Sequence, residues 1–512
     1  MRSALPLLLL VSTLAAAALT TGPSASAESH VSSASLEDEP TPPTSACPAP
    51  RGPGKGEWKT NTLPETAERA AALAALESWA FPEISAEAEA NRQGVRTDGL
   101  LIIHGGEIVY ERYGRGFTAD TPHLTWSVSK TYTATLTGIG VQRGLLSLDD
   151  SICEHLTPVD PSHCDTTVKD LLEFGSGTMW KESYEGAPPT SSSVVAMLYG
   201  QGHEDVVAFV TAQPRRVAPG THFQYSSGDT NLLSGVLGAA LTPTVGDQFP
   251  WTMLFEPLGV TTAVWERDTK GTYIGSSYVY ATPRDMARLG MLWLDDGCFQ
   301  GERWLPEGWV AESSAVSETI QSGAIDRETG DVQGRQVWLN LPVYGLGDST
   351  RPWPGSPPDL YGAMGHWKQS ILMVPSHDLV IVRTGDDRDG SFSWDTLVQR
   401  SITLVNPTAG PPTADVPAPD NIKRAPVLSA DPMEFDTGLL RIAANYGAKL
   451  GCSCAFVMDR DDAQCAAFVK ASPDIVKVRY DRENKVAKAT ALGVVRATAS
   501  YRGPREGCTI DP

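Results

Sequence analysis

Positive charge is in short supply in this chain of 512 residues: 41 lysines and arginines stand against 61 aspartates and glutamates, a formal net charge of −20. That balance argues against an electrostatic partnership with nucleic acid or an anionic lipid surface. Long apolar runs are missing as well once the first few residues are passed, so no later stretch is long enough to cross a bilayer. Two catalytic signatures are also absent. Without Gly-x-Ser-x-Gly the chain lacks the nucleophile elbow of an α/β-hydrolase, and without His-Glu-x-x-His it implies no metal. No internal repeat marks it as a solenoid or propeller.

The apolar run that does exist lies from about Leu5 to Leu19, behind Arg2 and ahead of Ala25-Ser26-Ala27. This pattern predicts a secretory signal over residues 1–27, with a membrane anchor as the alternative. Residues 28–60 are rich in Ser, Pro, Gly and charge and predict a mostly disordered segment that Cys47 would tie down. Eight cysteines behind an export signal favour disulfides. Cys153 and Cys164 bracket a short polar loop and form the best pair by proximity. Cys452, Cys454, Cys465 and Cys508 crowd into the last segment, where they would staple a domain too small to rest on core burial alone. A zinc site at Cys452-Ser453-Cys454 is the competing reading, disfavoured in an oxidising compartment. A chain of this length exceeds one core. The composition divides it into a large domain over 61–405, a Pro-rich linker over 406–432 and a Cys-rich C-terminal domain over 433–512.

Two β-branched runs joined at His104-Gly105-Gly106 predict a hairpin. A helix follows through SVSKTYTATLTGIGVQRGLL, and a second is entered through Thr282-Pro283. SILMVPSHDLVIVRTG predicts two strands around Pro375 to Asp378. In the C-terminal segment, helices over Phe435 to Leu450 and near Asp461 to Val469 precede strands around Ile475 to Tyr480, Lys485 to Ala491 and Val494 to Tyr501. Hairpins at both ends with helices between them predict an α+β fold, an antiparallel sheet flanked by helices with an all-helical subdomain, plus a small C-terminal α+β domain.

Ser127 stands three residues ahead of Lys130 at the start of the first helix, so their side chains share one face. A desolvated lysine can take the serine proton, and the free amides of the helix start favour a developing oxyanion. Alone, the same spacing also describes an exposed helical pair.

The company of this motif decides. Around TWSVSKTYT come, in order, TVKDLLEFGSGTMWKESYEG, PGTHFQYSSGDTNLLSGVLG, ATPRDMARLGMLWLDDG and YGAMGHWKQSILMVPSHDLVIV. Over about Gly99 to Val405 the chain resembles the serine β-lactamase superfamily, in particular class C-like hydrolases and esterases and the 6-aminohexanoate-dimer (nylon-oligomer) hydrolases. The resemblance implies a β-lactamase/transpeptidase-like fold with Ser127 as acylated serine, Lys130 as its base and Tyr225 relaying the proton to the leaving group. It implies an oxyanion hole from the Ser127 amide and a strand amide. Spacing back from Pro375 puts Leu360-Tyr361-Gly362 where classical members carry Lys-Thr-Gly, which would make Ala363 the second donor. A shifted register would give that role to His366. Ser227 stands where class C enzymes carry asparagine. Trp180, Glu182 and Tyr184 fall in a loop that borders the cleft in relatives, while His366, Trp367 and Lys368 either shape the pocket or pack as a bulky strand edge. Expected substrate contacts are Trp180, Tyr184, Ser227, His366 and Trp367.

The expected activity is a secreted serine hydrolase cleaving an amide or ester in a small molecule or peptide, without a cofactor. A cell-wall D,D-peptidase or carboxypeptidase is the alternative enzyme, and a non-catalytic wall-binding protein the alternative class. The C-terminal segment resembles one that some relatives carry ahead of the catalytic domain.

Overall fold

The computed structural model describes residues 46–184, 188–322, 324–325, 332–342, 351–408, 423–424, 433–470 and 474–512. The expected signal (1–27), the start of the segment expected to be disordered and most of the linker lie outside them.

A six-stranded antiparallel sheet is built from residues 97–385. Its strands are β1 (Thr97–His104), β2 (Glu107–Tyr113), β3 (Trp338–Leu339), β4 (Tyr361–Gly365), β5 (Gln369–Val374) and β6 (Leu379–Gly385), in the order β3-β4-β5-β6-β1-β2. The predicted hairpin is present, with His104 paired to Glu107 across Gly105-Gly106. Side chains alternate across a strand, and here both faces are covered. Leu100, Ile102, Leu372 and Ile381 join one core, while Leu101, Ile103, Ile371 and Val382 join the other.

The first face is covered by helices α1 (Ala67–Ala80) and, at the far end of the region, Trp394–Val405. Helix α2 (Ser129–Gln142) and α3 (Ser227–Val245) belong to the helical subdomain beyond the sheet, with Ile152–His155, Val168–Leu172, Ser193–Tyr199 and Val206–Thr211 between them. Helix α4 (Pro283–Leu294) covers the second face; Thr282 caps it through the Asp285 amide, as its sequence predicts. At Gly290 a Cβ would stand 2.5 Å from Val380, so the missing side chain sets how closely α4 approaches the sheet. Trp394–Val405 is α5.

The C-terminal segment forms its own antiparallel sheet, β7 (Val476–Asp481), β8 (Val486–Ala491), β9 (Val495–Gly503) and β10 (Gly507–Ile510), under helices α6 (Leu439–Phe456) and α7 (Asp462–Phe468). Helix α6 runs six residues past the predicted end at Leu450. The cause is that GCSCAF holds no breaker other than Gly451, which packs against Val478 and Tyr480. Strand β10 was not foreseen, because GCTI is too short to show a period.

Four disulfides join Cys47 to Cys298, Cys153 to Cys164, Cys452 to Cys508 and Cys454 to Cys465. With Cys452 and Cys454 each in a disulfide, the zinc alternative has no free thiolates. The expectation of a mostly disordered segment over 28–60 needs correction for residues 46–60. Besides the Cys47 bond, Arg51 pairs with Asp295 and Asp378, and Arg288 donates to the carbonyls of Gly54 and Gly56, so this stretch is bound along the catalytic body.

Candidate active site

Ser127 sits in a tight turn, Trp126–Val128, that leads into α2. The turn is built by Trp126, whose φ of +50° is in the left-handed region that a bulky residue rarely occupies. Its conformation is held from below: Thr125 Oγ1 donates to the Val279 carbonyl at 2.8 Å, and the Val279 amide donates to Ser129 Oγ at 3.0 Å. The helix start is thereby pinned and Ser127 is left half-buried at its tip.

Lys130 lies one turn on and is 2% exposed. Its Nζ donates to Ser127 Oγ at 3.2 Å, to Ser227 Oγ at 2.9 Å and to the Ser276 carbonyl at 3.0 Å. Three acceptors match the three protons of an ammonium. Burial nevertheless lowers its pKa to about 8, against the pull of Glu182. The Tyr225 ring lies 4.9 Å from the same Nζ. Burial pushes the Tyr225 phenol well above its ordinary range, with Glu182 adding to this and a hydrogen bond with Ser127 opposing it. At neutral pH it is a phenol, able to donate. Ser127, Lys130 and Tyr225 thus converge, although they come from the start of α2 and the entry to α3.

The family profile described as Beta-lactamase covers residues 80–392.

The chain belongs to the beta-lactamase family.

It is 26% identical over 299 residues to the 6-aminohexanoate-dimer hydrolase of Paenarthrobacter ureafaciens, an overlap of 56% of this chain and 72% of that protein. To an uncharacterised protein of Alkalihalophilus pseudofirmus it is 25% identical over 313 residues, 56% of this chain and 82% of the other. A solved structure from Bacillus anthracis, named there as a candidate 6-aminohexanoate-dimer hydrolase, superposes with a TM-score of 0.51 at 17% identity, covering 67% of this chain and 86% of that one. The α+β architecture and the resemblance read from the sequence are those of this beta-lactamase family.

Within the family fold, the register of β4 differs from the one counted back from Pro375. Ala363 pairs with Ile371 of β5. The Asn340 amide donates to the Leu360 carbonyl on the opposite edge. Backbone groups alternate in direction along a strand, so Leu360, Gly362, Met364 and His366 turn toward the β3 edge while Ala363 turns its amide into the ladder. Ala363 is therefore not a free oxyanion donor. The glycines show the same register. A Cβ on Gly362 would strike the Ile371 carbonyl at 2.6 Å, whereas one on Gly365 would stand 2.4 Å from the Thr125 carbonyl and 3.2 Å from the Ser127 nitrogen. Gly365 is the residue that meets the serine turn, and the next amide belongs to His366. Ala363-Met364-Gly365 then occupies the place of Lys-Thr-Gly.

The expected substrate contacts divide. Tyr184 and His366 are half-buried and stack on each other at 4.7 Å, and Trp126 meets the His366 ring edge-on at 5.4 Å. These face the site. Trp180, Ser227 and Trp367 do not, and the structure corrects their assignment. Trp180 is 2% exposed, wedged against Gly228. Trp367, at φ +55°, is turned inward between Trp126 and Phe468 with Arg388 over its ring. Ser227 is fully buried and serves Lys130 instead: its Oγ donates to Glu182 at 2.6 Å while accepting from Nζ.

Glu182 completes this network. Its carboxylate also accepts from the Ser227 amide at 2.9 Å and from Trp180 Nε1 at 2.6 Å. Ser227 in place of asparagine was the available signal, because a hydroxyl that takes a lysine proton needs an acceptor of its own. The Ser276 carbonyl had no signal, since a backbone acceptor leaves none in side-chain identity.

Proposed function

We propose that this beta-lactamase family hydrolase cleaves an amide or ester through an acyl-serine at Ser127. The observation that carries the proposal is the buried Lys130 amine in contact with Ser127 Oγ, its pKa lowered to about 8. At pH 7 roughly a tenth of such an amine is neutral. The neutral form keeps two N–H bonds for Ser227 and Ser276 and points a lone pair at Ser127, so the proton can move without rearrangement of its partners.

As Ser127 Oγ attacks the carbonyl, its proton passes to Lys130 Nζ. The oxyanion is received by the amides of Ser127 and His366. Tyr225 donates its phenol proton to the departing amine or alcohol and is reprotonated from Lys130, leaving the acyl group on Ser127. Water then enters, gives a proton to the same relay, and releases the acid while Ser127 recovers its hydrogen. With no lysine at the Ala363-Met364-Gly365 position, the anchor for a penicillin carboxylate is missing, which favours esters and linear amides. The naming of two relatives as 6-aminohexanoate-dimer hydrolases supports an amide among them. The four disulfides favour an extracellular site of action.

The test is labelling of the purified protein by a fluorophosphonate at Ser127, followed by turnover of p-nitrophenyl esters, linear amides and nitrocefin. Ester or amide hydrolysis far above nitrocefin supports the proposal. Full turnover in Ser127→Ala would sink it.

A further inference from the structure

Away from Ser127, a cavity of about 560 Å³ lies between the N-terminal end of β1 and helix α7 of the C-terminal segment. Its charged lining comprises Arg92, Arg96, Arg115, Arg460 and Lys470 against Glu89, Asp98 and Asp386, five cationic groups to three anionic. In a chain of net charge −20 this local excess has the opposite sign to the whole.

Three of the arginines are matched. Arg96 forms a two-point pair with Glu89 at 2.7 and 2.9 Å, Arg92 pairs with Asp386, and Arg115 reaches Asp98 at 3.1 Å, Glu89 at 3.3 Å and Asp386 at 3.7 Å. Arg460 differs. Its guanidinium lies 3.9 Å from the Phe117 ring centroid and donates to the backbone carbonyls of Gly116 and, at 3.0 Å, Arg115. No carboxylate forms an ion pair with it among the described residues. Arg115 Nε beside it is buried and has no hydrogen-bond partner among them. A guanidinium largely withdrawn from water without an anion is an incomplete arrangement, because its preferred partner is a planar oxyanion taken by two N–H groups. Beside His123 and Gln464, the rest of the wall is apolar, formed by Ala86, Ala90, Ala467 and Phe468. Bare inorganic phosphate would leave that wall facing water; a carboxylate with a hydrocarbon body would cover it.

We propose that this cavity is a binding site for an aliphatic carboxylate, its head group on Arg460 and its chain along Ala467 and Phe468. The site is separate from Ser127 and does not depend on the acyl-enzyme reading.

Isothermal titration of the full chain with octanoate and with inorganic phosphate tests it. Saturable octanoate binding is expected, at least tenfold tighter than phosphate and at least tenfold weaker in Arg460→Gln. Because Arg460 also holds the Gly116 turn, a second variant, Ala467→Trp, fills the apolar half from an exposed helix position and should weaken octanoate by a similar factor. Tyr184→Ala, at the Ser127 site, should leave it unchanged. Absence of saturable binding, phosphate binding as tight as octanoate, or loss on Tyr184→Ala with retention in both cavity variants would overturn the proposal.

Discussion

The catalytic region buries tryptophans, leucines and isoleucines from both faces of its sheet, whereas in residues 433–512 the layer between α6 and its sheet is mostly alanine. Ala444 and Ala448 on α6 meet Ala487, Ala489, Ala491, Ala497 and Ala499 on the strands. Small side chains let the helix settle close to the sheet, and at Gly447 a Cβ would stand only 2.5 Å from Val476. Each alanine withdraws little surface from water, so this core yields less per residue than one of leucine. Two disulfides compensate, and so does a buried ion pair to the catalytic region. Glu266 is fully buried, pairs with Lys449, accepts from Ser453 Oγ at 2.7 Å and from the Cys508 amide at 2.8 Å. The lesson is that one region is held by area and the other by covalent and polar links, so the two should fail under different insults.

The largest effect separates chemistry from both. Ser127→Ala and Lys130→Met are expected to lower kcat by about a thousandfold or more, and Ser127→Ala to do so while the melting temperature barely moves, read by ester turnover and calorimetry. Next, Lys449→Met leaves the Glu266 carboxylate buried without its cation and should cost about 3–5 kcal/mol in urea unfolding, with protection from hydrogen exchange lost first in β7 to β10. Loss spread evenly over both regions would break the comparison. Replacing Cys452 and Cys508 together by serine should cost about 2–4 kcal/mol, again confined to the C-terminal segment. The smallest effect sharpens the site itself. Since only neutral Lys130 accepts a proton, kcat/KM should rise with pH through about 8. The Glu182 carboxylate holds the lysine proton on, so Glu182→Gln should move that rise to lower pH by about one unit. A shift upward would show that the carboxylate acts otherwise.

Much of this was legible in the sequence where the signal is local. The hairpin at His104-Gly105-Gly106, the capped helix behind Thr282 and the three-residue step from Ser127 to Lys130 each follow from spacing within one element. The register of β4 was not, because it depends on which edge of the strand faces β3 and on how closely Gly365 meets the serine turn. Counting from Pro375 overlooked both. Trp180, Ser227 and Trp367 went astray for a related reason. A residue next to the site in sequence can be turned into the interior by one backbone angle, as at Trp367, or claimed by a carboxylate from another loop, as at Ser227.

Gly365 also sets a limit on how this site can change. A single added methyl group there would press on the Thr125 carbonyl that accepts from the Val128 amide in the serine turn, so the gap between β4 and that turn is set by a hydrogen atom. On the other flank the boundary is made of side chains, Tyr184 stacked on His366 at 4.7 Å, and there a substitution changes shape without touching the serine turn.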